Sequence, residues 1–322
     1  ARTAGACAVL RKGVSLLKAT PSLKPGLDAL DAVCARVSNR GADAAAYVCC
    51  SCLANADVEE DYSDGRDASS GSPLGASPCV VRLLSSLHAI RAGYLAFLPA
   101  WPKLQPNQDS PSARAAIPAL AARVARQCSS HICLRRPLAG GGRLVVARDI
   151  DVICDALADY EPEPGDAVEA SAELRAALDE LRAVKRLLFV EPRLAEGETR
   201  AGAVLRAGLE LAPVLRPSCA WHHCLAACGH ARLPLPDALD VAEDVEASPA
   251  LRAAYVAQLC GGDDFGAADS PETRRAREER AWLDVQRCLD AWATRASATG
   301  VSALGDVYES MQRSGAELRV NT

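Results

Sequence analysis

The sequence is poor in aromatic residues and in methionine. Phe, Trp and Tyr make up only 4% of its 322 residues, and Met occurs once. Sandwiches and barrels of β-strands use β-branched and aromatic residues in short alternating runs, so this composition argues against an all-β fold. Position 1 is Ala, and together with the single Met this leads us to interpret the chain as a piece of a longer protein.

The sequence also lacks an excess of positive charge. Its 36 basic and 41 acidic residues give a net charge of −5, whereas dedicated nucleic-acid binders carry basic domains. We therefore expect no nucleic-acid partner. Arginines are nevertheless concentrated between residues 110 and 148, and an acidic stretch follows them. We interpret both as solvated helix faces, with a surface for anionic lipid as the alternative. The arginines are Arg114, Arg123, Arg126, Arg135, Arg136, Arg143 and Arg148.

Long uninterrupted apolar runs are missing as well. The longest run lies between Pro78 and Pro99, and Arg82, His88 and Arg91 interrupt it. A helix that spans a bilayer needs about 20 mostly uncharged residues, so we expect none here. The fourteen cysteines have no framework spacing and lie mostly in apolar helical patterns, where Cys behaves as a small hydrophobe. We expect a soluble protein of a reducing compartment.

Alanine, leucine and valine dominate what is present, and 49% of the residues are hydrophobic. Ala and Leu favour helices, and apolar residues recur at helical spacing in segment after segment, which predicts an all-α fold. Ser-Pro pairs at 110–111, 248–249 and 270–271 mark helix starts. A predicted helix over 79–98 has a wide apolar arc, so we expect it at the centre of the core. Trp282, Leu289 and Trp292 should anchor a terminal bundle.

The chain length and its composition shifts predict two helical regions, 1–107 and 108–322. The first contains a segment, 55–78, that begins acidic and becomes rich in Ser and Gly. Such a segment cannot bury enough apolar surface to offset the entropy of ordering it, so we expect a disordered loop there.

The densest cluster of potential metal ligands follows Pro217 and includes Cys219, His223, Cys224 and Cys228. Thiolates and imidazoles bind zinc tetrahedrally, but these residues do not share one helical face. We favour the interpretation that they are partly buried residues of an Ala/Leu helix, with a metal site as the alternative. The Cys49-Cys50-Ser51-Cys52 run is interpreted in the same way, as small-residue packing.

Motifs of catalysis are not found. The glycine run Gly140–Gly142 lacks the Lys-Ser/Thr of a phosphate-binding loop and is expected to form a turn between helices. The sequence contains no Gly-x-Ser-x-Gly elbow and no His-Glu-x-x-His. We predict that the protein is not an enzyme and that it uses no cofactor.

One segment resembles a known family. The turn Arg136-Pro137-Leu138, the glycines up to Gly142, and Asp149 entering a helix resemble the C-terminal half of subunit 5 of the conserved oligomeric Golgi complex. Further similarities follow in the family's order, up to about residue 315. They are Leu187-Leu188-Phe189, the His222-His223 pair within Val214 to Pro234, Ala281 to Ala293, and Val307-Tyr308.

This resemblance implies an all-α architecture of elongated, stacked helical bundles, as in multisubunit tethering complexes. It implies a non-catalytic scaffold subunit that acts in intra-Golgi retrograde vesicle transport. The implied partners are the other subunits of the complex, with SNAREs, coiled-coil tethers and small GTPases. The implied location is the cytosolic face of the Golgi, as a peripheral membrane protein held there by its partners.

Overall fold

A computed structural model describes residues 41–54, 75–97, 111–134, 140–161, 168–190, 199–227, 249–260, 271–299 and 303–320. Within these ranges all regular secondary structure is helical and there is no strand, which confirms the predicted all-α class. The helices are α1 (residues 41–54), α2 (Pro78–Phe97), α3 (Pro111–Cys133), α4 (Gly140–Ala158), α5 (Val168–Leu188), α6 (Arg200–Leu211), α7 (Pro217–Ala227), α8 (Pro249–Cys260), α9 (Pro271–Thr299), α10 (Ala303–Ser310) and α11 (Ala316–Val320).

Proline occupies the first position of five of these helices, namely α2, α3, α7, α8 and α9. Its missing N–H costs nothing there, because a helix leaves its first N–H groups without an intrahelical partner. The predicted starts at Pro111, Pro249 and Pro271 are therefore confirmed. The same signal marks α2, where the Val81 N–H donates to the Ser77 carbonyl over 3.0 Å and Ser77 is the N-cap.

Helix α3 lies at the centre of the core. From Leu120 to Leu134 every side chain is buried except those of Arg123 and Arg126, which are half-buried. The helix packs most extensively against α5 and also contacts α4, α7 and α8. Helix α1 lies against it too, since the Cys50 Sγ approaches the Val124 carbonyl oxygen at 3.8 Å.

The prediction that the helix over 79–98 lies at the centre of the core is wrong. Helix α2 buries one face, through Cys79, Val80, Leu83 and Leu87. Arg82 and His88 on its other side are exposed. Polar residues at helical spacing thus limit the apolar arc of α2, whereas α3 is buried on all sides between Leu120 and Leu134 except at Arg123 and Arg126.

The predicted apolar stripes of α4 and α5 are confirmed, since all their members are buried. They are Val146, Ile150, Ile153 and Leu157 on α4, and Leu174, Leu178, Leu181, Val184 and Leu188 on α5. The predicted turn at Gly140–Gly142 is wrong, because α4 begins at Gly140. Gly142 and Asp149 consequently lie inside α4 rather than in a turn and at a helix start. Arg136, Pro137 and Leu138 lie outside the described residues.

The C-terminal helices meet a tryptophan pair. The rings of Trp221 and Trp282 are 4.9 Å apart, and between α10 and α11 the backbone forms one π-helical stretch, Met311–Gly315. The Trp221 Nε1 donates to the Gly315 carbonyl over 3.2 Å. A Cβ at Gly315 would lie 3.0 Å from the Trp282 ring, so glycine permits this close approach. Trp282 and Leu289 are buried as predicted, and the side chain of Trp292 lies outside the described residues.

The buried apolar residues form one cluster that includes members of α1 and α2 together with members of the later helices. The division into 1–107 and 108–322 stays a prediction, and most of the predicted loop at 55–78 lies outside the described residues. No helix in the described part of the chain is long and apolar enough to cross a membrane.

Candidate functional site

A buried polar centre surrounds Arg216, the residue just before Pro217. Its Nε lies 2.9 and 3.0 Å from the two carboxylate oxygens of Glu180, and its Nη2 lies 2.8 Å from Oε1. The same Nη2 donates to the Arg126 carbonyl and to the Ser130 Oγ, each over 3.0 Å. We call these four residues the Arg216 network. The side chains of Arg216 and Glu180 are 19% and 7% exposed.

The Arg216 network joins α3, α5 and the start of α7. A guanidinium matches a carboxylate with two parallel hydrogen bonds, and its remaining donors can serve carbonyls and hydroxyls. Arg216 Nη1 also lies 3.7 Å from the Cys260 Sγ at the end of α8. Because each charge is compensated where it is buried, the centre holds four helices in one arrangement.

A carboxylate also clamps the first turn of α7. The Ser218 backbone N–H donates to Glu278 Oε2 over 2.7 Å, and the Ser218 hydroxyl donates to Oε1 over 2.9 Å. A negative group at a helix N-terminus is favoured by the helix dipole. Burial raises the pKa of Glu278 in spite of these bonds and of the nearby Arg216 charge.

His222 lies one turn further along α7 and is buried against α8. Its Nδ1 bonds to the Ser218 carbonyl, and its Nε2 lies 2.9 Å from the Tyr255 hydroxyl. A carbonyl only accepts, so Nδ1 carries the hydrogen and Nε2 accepts from Tyr255. Burial lowers the pKa of His222 to about 4, and the Arg216 charge acts in the same direction. The imidazole is therefore neutral at pH 7.

A second serine–carboxylate clamp joins α2 to α4. The Ser77 N–H donates to Asp149 Oδ1 over 2.8 Å, and the Ser77 hydroxyl donates to Oδ2 over 2.7 Å. Asp149 is 2% exposed. It has the same role at the start of α2 that Glu278 has at the start of α7.

Six thiols gather where α1 meets α2, α3 and α4, and we call them the thiol cluster. Burial first, and the neighbouring Cys128 thiol as a smaller cause, raise the pKa of the thiols of Cys49, Cys50, Cys52 and Cys154. The Cys52 Sγ lies 3.3 Å from the carbonyl oxygen of Cys79, the sixth member. Burial raises the pKa of Cys49 and of Cys52 to about 12.

The residues of the alternative metal site diverge. Cys219 faces α5, with its Sγ 3.7 Å from Glu180 Oε1, and the neighbouring Cys133 thiol on α3 together with burial raises its pKa. Cys224 faces α6, with its Sγ 3.7 Å from the Ala201 carbonyl oxygen. His223 is half-buried, and Cys228 lies outside the described residues. In the described ranges no group of three or more His, Cys, Asp or Glu side chains is placed to hold a metal ion.

Two of the clustered arginines form half-buried ion pairs instead of a solvated face. Arg123 Nε lies 2.6 Å from the Asp43 carboxylate on α1, and Arg126 Nη1 lies 2.9 Å from Glu173 on α5. Arg143 and Arg148 also interact with other groups of the protein, so neither is a free surface charge. The side chains of Arg114, Arg135 and Arg136 lie outside the described residues.

Sequence reasoning did not single out Glu180 or Glu278, and it named Asp149 only for the family resemblance and not as a buried partner, although a signal was present. Glu180 lies within the apolar stripe of α5, next to Leu181, and Asp149 lies beside Ile150 in the stripe of α4. An acidic residue on the buried face of a helix requires a partner, because an uncompensated buried charge is very costly. The positions of Glu180, Asp149 and Glu278 could have been identified in this way, but their partners could not.

The described polar centres thus pair donors and acceptors of different helices with one another. No protein-family model matches this chain, and no curated protein or solved structure is significantly similar to it.

Proposed function

We propose that this chain is a non-catalytic helical scaffold that acts through contacts between its helix faces and other proteins. The observation that carries the proposal is the use of the interior ionisable groups. Arg216, Glu180, Glu278 and His222 are each bound by another helix or by their own backbone, so their chemistry serves to fix helix positions. A helical body whose helices are joined by such contacts suits the presentation of surfaces to partners.

We further propose the particular role that the family resemblance implies, a subunit of a Golgi vesicle-tethering complex in intra-Golgi retrograde transport. The support is the order of the similar segments, from Arg136 to Tyr308. The partners are then the other subunits of that complex, with SNAREs, coiled-coil tethers and small GTPases, and the location is the cytosolic face of the Golgi.

Large apolar side chains on the outer surface are candidates for such contacts. Protein interfaces combine an apolar centre with a polar rim, so a few exposed large side chains within polar surroundings fit that pattern. Leu144 on α4 is the most exposed of them, at 63%. The others are Tyr47, Val48, Phe189, Val214, Leu251 and Leu283.

Affinity purification of the tagged, full-length protein from the cells that express it tests both levels of the proposal. We expect the other subunits of the Golgi complex to co-purify, and we expect Leu144→Glu to reduce their yield. Asp155→Ala is the matched control, because Asp155 is exposed on the same helix. A folded protein that brings down none of these subunits would contradict the Golgi role.

Two further measurements separate the alternatives. Elemental analysis measures zinc in the purified protein. A stoichiometric amount would contradict the scaffold proposal and favour a metal-binding protein. Flotation of the protein with liposomes that increases with their anionic lipid content would favour a peripheral lipid binder over the scaffold proposal. We expect neither result.

A further inference from the structure

The outer face of α1 is almost free of polar groups. Helix α1 contains one charged residue, Asp43, and that residue pairs with Arg123 on α3 at 2.6 Å. The outer face carries Ala44, Tyr47 and Val48, which are all exposed, with Val48 at 58%. A helix that is apolar on every side is normally buried, so we expect another segment to cover this face.

The few polar groups on the outer face of α1 do not favour a charged ligand. The Ser51 hydroxyl, one turn after Val48, donates to the Val48 carbonyl over 2.8 Å and is thus used within its own helix. The Tyr47 hydroxyl stands at the tip of an amphipathic ring and can stay in water at the edge of a contact. Tyr47 and Val48 are also the only adjacent pair among the large apolar side chains that are exposed in the described ranges. The face therefore suits the apolar stripe of another helix.

We propose that segment 4–18 of this chain docks on the outer face of α1 through an apolar stripe. Cys7, Leu10, Val14 and Leu17 recur in this segment at steps of three and four residues, which is the spacing of one helix face. The basic residues of the segment lie beside or opposite the stripe, and they are Arg11, Lys12 and Lys18.

The tether to α1 favours this segment over a separate protein. Residues 18–40 connect the stripe to α1 and, at about 3.3 Å per residue, can span more than the length of that helix. A segment on such a tether has an effective concentration of about millimolar, whereas another protein reaches the face from dilute solution. Tyr47 and Val48 are then covered within the chain, and the partner contacts of the proposed scaffold fall to other exposed residues such as Leu144.

Photo-cross-linking in the full-length protein tests the proposal. The variant Tyr47→p-benzoylphenylalanine carries a photoreactive aromatic side chain, and the irradiated protein is digested with trypsin. Cleavage after Lys and Arg places position 47 in peptide 41–66 and the stripe in peptides 3–11 and 13–18. We expect peptide 41–66 to be linked to one of these two peptides in a product that has the mass of a single chain.

Matched variants separate docking from chance contact. Leu10→Glu should lower the yield of the link about tenfold, because it removes one buried leucine from the contact. Ser15→Glu adds the same charge on the basic side of the segment and should leave the yield unchanged. The same photoreactive residue at position 144, which is exposed on α4, should give no link to peptide 3–11 or 13–18.

Circular dichroism shows whether each variant is folded, and Leu17→Glu replaces Leu10→Glu if the latter is not. The proposal is overturned if the Tyr47 variant gives no link within the chain or links to a different segment of it. A product with the mass of two chains would assign the face to a second copy and would also overturn it. So would an unchanged yield in a folded Leu10→Glu variant.

Discussion

The two faces of α3 carry opposite kinds of buried polar chemistry. Val124 and Cys128 face the thiol cluster, and Arg126 and Ser130 face the Arg216 network. These pairs are offset by two residues, which turns about 200° around a helix and places them on opposite sides. One face is neutral and built from weak hydrogen bonds, while the other is charged and built from strong ones.

This difference teaches that burial alone does not decide how sensitive a centre is to substitution. A thiol is nearly apolar, so its neighbours lose mainly packing when it is removed. A buried ion pair is different, because the loss of one partner leaves an uncompensated charge. A single substitution in the Arg216 network should therefore cause a large loss in the free energy of unfolding, and one in the thiol cluster a small loss.

Glu180→Gln should give the largest effect, a loss of about 3–5 kcal/mol in the free energy of unfolding, because it leaves the Arg216 charge without its partner. Urea unfolding at pH 7 measures it. The double variant Glu180→Leu with Arg216→Met removes both charges and should recover most of the loss. A loss below about 1 kcal/mol in Glu180→Gln would remove the distinction between the two faces.

Acid should lower the free energy of unfolding through His222. Its pKa of about 4 in the folded protein, against about 6.5 in the unfolded chain, corresponds to about 3 kcal/mol. The unfolded chain binds the proton first, so this stability is present above pH 6.5 and is lost as the pH falls towards 4. Urea midpoints across this range should depend less on pH in His222→Gln.

Glu278 acts in the opposite direction and provides the control. Its pKa is raised in the folded protein, so its contribution to stability grows as the pH falls. Glu278→Gln should therefore make the loss in acid steeper. A shallower loss in that variant, or an unchanged one in His222→Gln, would contradict these assignments.

The two serine–carboxylate clamps should differ in strength at neutral pH. Asp149→Asn keeps only one acceptor oxygen for the two donors of Ser77 and should cost about 1–3 kcal/mol. Glu278→Gln should cost less, because burial already disfavours the ionised form of Glu278. Urea unfolding of both variants at pH 7 gives the order, and the reverse order would show that the nearby Arg216 charge outweighs burial at Glu278.

Cys128→Ala should have the smallest effect, about 1 kcal/mol, since it removes one small, nearly apolar group from the thiol cluster. The same unfolding measurement applies. A loss as large as that of Glu180→Gln would mean that the thiol face is as intolerant of substitution as the charged face.

Much of the fold could be predicted from local patterns. Proline at the first position marked the starts of α3, α8 and α9, and the apolar stripes of α4 and α5 are buried as predicted. Local patterns failed where the tertiary context decides. The glycine run was predicted as a turn because glycine disfavours helices, yet α4 begins there and Gly142 is buried. Packing overrode the propensity.

The polar centres could be predicted only in part. Glu180 and Asp149 interrupt apolar stripes, and that pattern indicates a buried acidic residue with a partner. The partner itself is not encoded locally, because Ser77 lies 72 residues from Asp149 and Arg216 lies 36 residues from Glu180. The divergence of Cys219 and Cys224 likewise depends on which helices surround α7.

The Arg216 network has a consequence for folding kinetics. Its contacts connect positions 36, 86 and 90 residues apart along the chain, and such non-local contacts form late because long loops must close first. Interactions absent from the transition state slow unfolding without accelerating folding. Arg216 therefore stabilises a bundle that has already assembled. It lowers the rate of unfolding and has little effect on the rate of folding.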